Sequence, residues 1–227
     1  MALTTIGLMA LLGCFTGFMA GLLGIGGGMI ITPFLIMLIP SSLIPHEHIV
    51  HVAIATSLAT IAFTSLSSVR AHHKRGAVLW NVVASVAPGI LVGAVVGAQI
   101  AGWLPTFWLS LIFAAFVGFS AFKMFLNKSP RPDRNLPGTI GKFFMGIAIG
   151  ILSALVGAGG GFISVPWMIW CNVKMQNAVA TSAAFGFPIA LFGTIGYIIS
   201  GWNVSGLPPW PIDLGYICIP ALFSVAI

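Results

Sequence analysis

The 227-residue sequence has few charged residues, and the acidic ones are the rarest. It contains three Asp and Glu against nine Lys and Arg, and charged residues make up 5% of the chain while hydrophobic residues make up 59%. The mean hydropathy is +1.10. So few charges do not cover the surface of a water-soluble domain of this length. The sequence therefore predicts an all-α integral membrane protein, since apolar runs of about 20 residues, each able to span a bilayer as a helix, recur throughout it.

The sequence also lacks the residues on which several functions depend. The predicted topology places no Asp, Glu, Lys or Arg deep within a span, whereas membrane proton relays and cation sites usually need a buried carboxylate. This disfavours a cation carrier and favours an anion held by neutral dipoles. Neither G-x-S-x-G nor H-E-x-x-H occurs, so we expect no enzyme and no cofactor. The three cysteines form no C-x-x-C pair and predict buried thiols; they are Cys14, Cys171 and Cys218.

A glycine motif occurs twice. Gly24-Ile25-Gly26-Gly27-Gly28 is followed by Pro33, and Gly157-Ala158-Gly159-Gly160-Gly161 is followed by Pro166. Every glycine of the motif, and the proline, recurs at the same offset of 133 residues. Coincidence at so many positions is improbable even in a glycine-rich chain, so the motif indicates an internal repeat.

A second motif supports the repeat. Ala55-Thr56-Ser57 recurs as Ala180-Thr181-Ser182 at an offset of 125 residues. Further along, a looser alignment pairs Asn81 with Asp213 and Pro88 with Pro220. We interpret the chain as two homologous repeats, residues 1–135 and 136–227.

Each repeat is predicted to contain one glycine-broken hairpin and three spanning helices. Between Lys142 and Lys174 lie 31 uncharged residues, about 46 Å as helix against a hydrocarbon core of about 30 Å. That length is too great for one span and too small for two, which favours a hairpin that returns to its starting side. Gly89, Gly93 and Gly97 recur four apart, a pattern typical of close helix packing. The predicted apolar segments are 3–23, 29–39, 49–69, 77–101, 106–126, 143–156, 162–171, 177–200 and 212–227.

An odd number of spans inverts the second repeat relative to the first. Inverted repeats with a discontinuous helix in each are typical of secondary transporters. The second repeat lacks a counterpart of residues 106–126, so we expect one further C-terminal helix that this sequence does not include.

The basic residues predict the orientation. If both glycine breaks lie at hairpin tips, all nine Lys and Arg fall on one side of the membrane, including those of the loop at residues 127–135. That side is cytoplasmic by the positive-inside rule. The residues are Arg70, Lys74, Arg75, Lys123, Lys128, Arg131, Arg134, Lys142 and Lys174.

The glycine breaks are the candidate substrate site. Glycine leaves backbone N–H groups unhindered, and the helices that begin near Met29 and Phe162 would direct these donors and a positive dipole end at an anion. We expect the two breaks to meet near the middle of the membrane. The alternative is that the glycines only permit close packing and the nearby hydroxyl groups bond to their own helices. The candidate site residues are Gly24, Gly26, Gly27, Gly28, Thr56, Ser57, Gly157, Gly159, Gly160, Gly161, Thr181 and Ser182.

Two other functions remain open at this point. His46, His48 and His51, with Glu47 among them, have the side chains of a metal site at the outer mouth and would fit a divalent-metal permease. The basic loops would fit a membrane subunit that does not transport but anchors a partner. A nucleic-acid partner is not expected, because the charge of +6 is explained by topology.

The two glycine motifs, their prolines and the two Ala-Thr-Ser triplets resemble the TauE/SafE sulfite exporter family, also called the toluene sulfonate uptake permease family. The resemblance covers nearly the whole chain. It implies a carrier in the bacterial inner membrane for a small anion such as sulfite, a sulfonate, thiosulfate or sulfoacetate, with membrane lipid around it. Asn81 departs from the expected pattern, because we expect an aspartate there to match Asp213.

Overall fold

The computed structural model describes residues 7, 11, 13–16, 18, 28–39, 44–125, 136–202, 204, 207 and 213–226. The described positions between residues 7 and 18 are helical. The later elements are α1 Gly28–Leu38, α2 Ile49–Lys74, α3 Trp80–Trp103, α4 Thr106–Phe125, α5 Thr139–Val156, α6 Gly161–Trp170, α7 Met175–Gly201, β1 Asp213–Leu214, β2 Ile217–Cys218 and α8 Ile219–Ala226.

Four of these helices, α2, α3, α5 and α7, are long and apolar enough to cross a membrane. Helices α1 and α6 have 11 and 10 residues, which is about 15–17 Å, or half of the hydrocarbon core. Large apolar side chains cover the outside, a surface that a water-soluble monomer rarely has. The structure is mostly helical, with four helices long and apolar enough to span a bilayer, which agrees with the predicted all-α membrane protein. Examples of exposed side chains are Trp103, Phe107, Trp108, Phe119, Phe122, Phe144 and Ile199.

Glycines bring α3 and α5 into close contact, as their spacing predicts. Gly89 lies against Phe143, Gly93 against Ile147 and Gly97 against Ile151. A side chain at any of the three would collide with the backbone of α5. Because the residue numbers rise together along the interface, α3 and α5 run parallel.

Helix α2 lies at the centre of the bundle. Of the 18 residues in its apolar segment, 78% are buried, compared with 39% in the corresponding segments of α3 and α5. Leu58 of α2 lies against Gly193 of α7, and Ser65 lies against Gly186. The numbers run in opposite directions along this contact, so α2 and α7 are antiparallel.

The chain turns back at the second glycine break. Gly196 of α7 lies against Ala98 of α3 and Ser200 against Gly102, so α7 is also parallel to α3. Helices α5 and α7 therefore run in the same direction, and only residues 171–174 separate α6 from α7. Helix α6 must return towards the end at which α5 begins.

The stretch after α7 differs from the predicted continuous span over 212–227. Asp213 and Leu214 pair antiparallel with Cys218 and Ile217, and α8 begins only after this hairpin. Pro220 occupies the second position of α8, where its missing N–H has no helical partner to lose.

The same hairpin shows that the loose alignment of the two repeats is wrong. Asn81 is the second residue of α3, whereas Asp213 lies in β1, before α8 begins. The residues that directly precede these two helices are Leu79 and Cys218.

Candidate functional site

Left-handed glycines define the second break. Gly157 caps the end of α5 with φ of 68°, and Gly160 precedes α6 with φ of 77°. The N–H groups of Gly157 and Ala158 both donate to the carbonyl of Ser153. L side chains rarely adopt a positive φ, which explains why glycine stands at these two positions of the motif.

The two glycine breaks are in contact. Gly28, the first residue of α1, lies so close to the carbonyl oxygen of Gly157 that a side chain would collide with it. A side chain at Gly157 would meet the hydroxyl groups of Ser57 and Thr32. Three predicted site residues thus lie together, whereas Gly24, Gly26 and Gly27 fall outside the described residues.

A hydroxyl pair connects each short helix to the long helix that follows it. Thr32 Oγ1 lies 3.0 Å from Ser57 Oγ, between α1 and α2. Ser164 Oγ donates to Ser182 Oγ at 2.8 Å, between α6 and α7. Thr32 and Ser164 each lie 2.9 Å from the carbonyl oxygen four residues earlier, at Gly28 and at Gly160.

Sequence reasoning did not find Thr32 and Ser164. At the glycine offset of 133 residues, Thr32 aligns with Val165, so the repeat alone gives no hydroxyl pair there. The sequence did contain one indication of the pair. A residue with a hydroxyl group stands one or two positions before each repeated proline, Thr32 before Pro33 and Ser164 before Pro166.

Ser57 also contacts the second glycine break. Its Oγ lies 3.1 Å from the carbonyl oxygen of Ile54 and 3.2 Å from that of Gly157. The Gly157 carbonyl follows the last turn of α5, at the negative end of the helix dipole. Two carbonyl acceptors therefore lie at Ser57, while the second break ends at the positive, donor-rich start of α6.

Thr56 and Thr181, of the two Ala-Thr-Ser triplets, make matching long-range contacts. Thr56 Oγ1 accepts the N–H of Cys218 at 3.1 Å, and Thr181 Oγ1 accepts the N–H of Leu79 at 3.0 Å. Both threonines are fully buried. Each thus holds the residue that directly precedes a distant helix, α8 for Thr56 and α3 for Thr181.

His51 makes a structural contact. Its Nε2 lies 3.0 Å from the carbonyl oxygens of Ala101 and of Leu104, and carbonyls only accept, so Nε2 carries hydrogen. Its ring stacks on Tyr216 at a centroid distance of 5.1 Å. His46 is exposed. In the described parts of the chain no group of three or more His, Cys, Asp or Glu is placed to hold a metal ion, so no observation favours the metal-permease hypothesis.

The sequence is similar to membrane transporters. A family model described as "Sulfite exporter TauE/SafE" matches residues 9–227. A probable membrane transporter protein of Haemophilus influenzae is 34% identical over 223 residues, covering 98% of this chain and 84% of the relative. The probable membrane transporter protein YdhB of Bacillus subtilis is 30% identical, covering 82% of this chain and 76% of the relative. No solved structure matches the chain. The names of these relatives agree with the expectation of a transporter rather than an enzyme.

Proposed function

Because the chain belongs to the sulfite exporter TauE/SafE family, we propose that it is a secondary transporter of small sulfur-containing anions in the bacterial inner membrane. Sulfite is the leading substrate, with sulfonates, thiosulfate and sulfoacetate in the same class. The observation that carries the proposal is the contact between Gly28 and Gly157 at the two breaks. Among the side chains that the structure describes, no Asp, Glu, Lys or Arg is buried, so this part of the interior offers an anion dipoles and hydroxyl groups without a competing carboxylate.

The packing supports two inverted repeats. Helices α2 and α7 carry the repeated Ala-Thr-Ser triplets and run antiparallel, as equivalent helices of inverted repeats do. The contacts of Thr56 with Cys218 and of Thr181 with Leu79 are reciprocal, which is the pattern that a two-fold axis produces. We therefore propose that a pseudo-two-fold axis in the membrane plane relates residues 1–135 to residues 136–227.

The start of α6 supplies the binding chemistry. The first N–H groups of a helix have no partner within it, and its N-terminus carries about half a positive charge. Gly160, Gly161 and Phe162 present these groups at the break. A bound oxyanion would satisfy them without needing a buried counter-ion, which the described interior does not contain.

The hydrogen bonds fit rocking of one repeat against the other. The hydroxyl pairs of Thr32 with Ser57 and of Ser164 with Ser182 lie within one repeat each. Ser57 contacts the second repeat through the Gly157 carbonyl at 3.2 Å, near the long limit for a hydrogen bond. In alternating access, the pairs within a repeat would persist while the long contact between repeats breaks.

Transport by purified protein in liposomes tests the proposal. We expect sulfite flux above that of empty liposomes, with sulfate and taurine measured beside it to define selectivity. Failure to transport any sulfur oxyanion or sulfonate would contradict the proposed function.

Replacement of Gly160 by valine should reduce this flux at least about tenfold, because a side chain at φ of 77° is strained and fills the start of α6. The matched control is Gly118→Val in α4, where an added Cβ meets nothing within 4 Å. Size-exclusion profiles and thermal unfolding show whether both variants fold. Unchanged flux through a folded Gly160→Val protein would show that this break does not bind the substrate.

A further inference from the structure

Two buried hydroxyl groups in the described residues lack a hydrogen-bond partner, those of Ser153 and Thr194, as does the buried Nδ1 of His48. His48 and Thr194 are only partly buried as residues, whereas Ser153 is the one fully buried polar residue of the described chain whose side chain has no hydrogen-bond partner. Ser153 is 1% exposed, and its Oγ has none. An unpaired buried hydroxyl is unfavourable, and in native proteins such a group needs an explanation. The buried polar residues are Thr16, Thr32, His51, Thr56, Ser57, Thr60, Ser65, Ser153, Ser164, Thr181 and Ser182.

Ser153 stands at the second glycine break. It lies in the last turn of α5, and its carbonyl already accepts the N–H groups of Gly157 and Ala158. Its Oγ is 3.3 Å from the point that a Cβ at Gly160 would occupy. The hydroxyl is therefore directed towards the N-terminus of α6, where the unpaired backbone donors lie.

We propose that Ser153 donates a hydrogen bond to the transported anion at the N-terminus of α6. The inference rests on the proposed transport function and adds a substrate-binding residue to it. The hydroxyl group and the N–H groups of Gly161 and Phe162 form a set of three donors. Three donors suit an anion that presents three oxygens, as sulfite and the sulfonates do, and the hydroxyl needs no proton transfer to take part.

The repeat makes this site asymmetric. At the offset of 133 residues, the first repeat has Ala20 where the second has Ser153. Beside Gly28, the described residue of the first break, the Gly157 carbonyl lies within reach of Ser57, and a carbonyl repels an anion. The proposal therefore places one anion per chain, at the second break, and not one at each.

Titration of the detergent-solubilised full chain with sulfite, followed by calorimetry, tests the proposal. Ser153→Ala should raise the Kd at least about tenfold, the loss expected when a donor to a charged group is removed. It should leave the unfolding temperature of the anion-free protein equal or higher, because it deletes an unpaired polar group. The control Ser65→Ala removes a buried hydroxyl that bonds to its own helix, at Ala62, and should leave the Kd unchanged.

Ser153→Thr provides a second measurement, because it keeps the hydroxyl group and should bind sulfite within a few-fold of the wild type. An unchanged Kd in a folded Ser153→Ala protein would overturn the assignment of Ser153 while leaving the transport proposal intact. A lower unfolding temperature with an unchanged Kd would also overturn it and assign a structural partner to the hydroxyl group. The two kinds of failure are distinguishable. If only the Ser153 assignment is wrong, the wild type still transports sulfite and binds it with the same Kd as Ser153→Ala. If the proposed function is wrong, the wild type neither binds nor transports sulfite.

Discussion

At the residue scale, hydroxyl groups form the polar contacts between helices that ion pairs form in many soluble proteins. Ser57 lies within hydrogen-bond distance of Thr32 and of two carbonyl oxygens, at Ile54 and Gly157. A bilayer interior provides no water to satisfy such groups, and a buried charge there is costly. Neutral hydroxyl groups can connect helices and still exchange partners when the helices move.

Thr181 allows a direct test of such a contact. Thr181→Val keeps the shape of the side chain but leaves the N–H of Leu79 without its acceptor, so we expect a loss of about 1–3 kcal/mol in the free energy of unfolding. Chemical unfolding in detergent measures the change. Thr64→Val is the control, because Thr64 bonds back to the carbonyl of its own helix at Ile61 and should change stability by less than about 0.5 kcal/mol. Equal stability of the two variants would show that the Thr181 contact contributes nothing.

At the element scale, small residues decide which helices pack together. Without a hydrophobic driving force between helices in lipid, close backbone approach supplies much of the attraction. Gly89, Gly93 and Gly97 of α3 lie against the backbone of α5. On the other side of the interface, Gly146 and Gly150 of α5 lie against the backbone of α3. This interface joins α3 to α5 and fixes the two helices parallel.

A larger residue at Gly93 should separate these helices. A Cβ there would collide with the Ile147 carbonyl oxygen, and backbone on both sides cannot move aside. We expect Gly93→Val to lower the free energy of unfolding by about 1–3 kcal/mol or more. Detergent-to-SDS titration gives the midpoint, with Gly118→Val in α4 as the variant that should unfold near the wild-type midpoint. A wild-type midpoint for Gly93→Val would mean that the interface is looser than described.

At the scale of the whole molecule, parallel packing gathers the basic residues. Helices α3, α5 and α7 begin at one end of the bundle, and the antiparallel α2 ends there. Arg70 and Lys74 lie in the last turns of α2, Lys142 lies in the first turn of α5, and Lys174 directly precedes α7. This distribution agrees with a cytoplasmic position for that end.

Labelling of intact cells tests the orientation. In a chain whose three cysteines are replaced by alanine, a membrane-impermeant maleimide should label His46→Cys, beyond the outer end of α2, without permeabilisation. It should label Ala71→Cys, near the other end of α2, only after the membrane is opened. Both residues are exposed in the wild type, so access depends on the side of the membrane. The reverse pattern would place the basic end outside.

The sequence by itself determined that the chain belongs in a membrane and where two of its close contacts lie. So few charges do not cover the surface of a water-soluble domain, and glycine stands at Gly157 and Gly160 because few other residues tolerate their positive φ. The glycine spacing in α3 likewise predicted a close interface, because small residues four apart share one helix face.

Only the tertiary structure decided which groups meet at the breaks. Thr32 and Ser164 sit one position out of register in the repeat, and the chain reverses at residues 213–218 before α8 begins. Ser153 is an ordinary helical serine in the sequence. Its missing partner becomes visible only when α5 and α6 are folded against each other, because hydrogen bonding depends on distances between residues that the order of the chain does not specify.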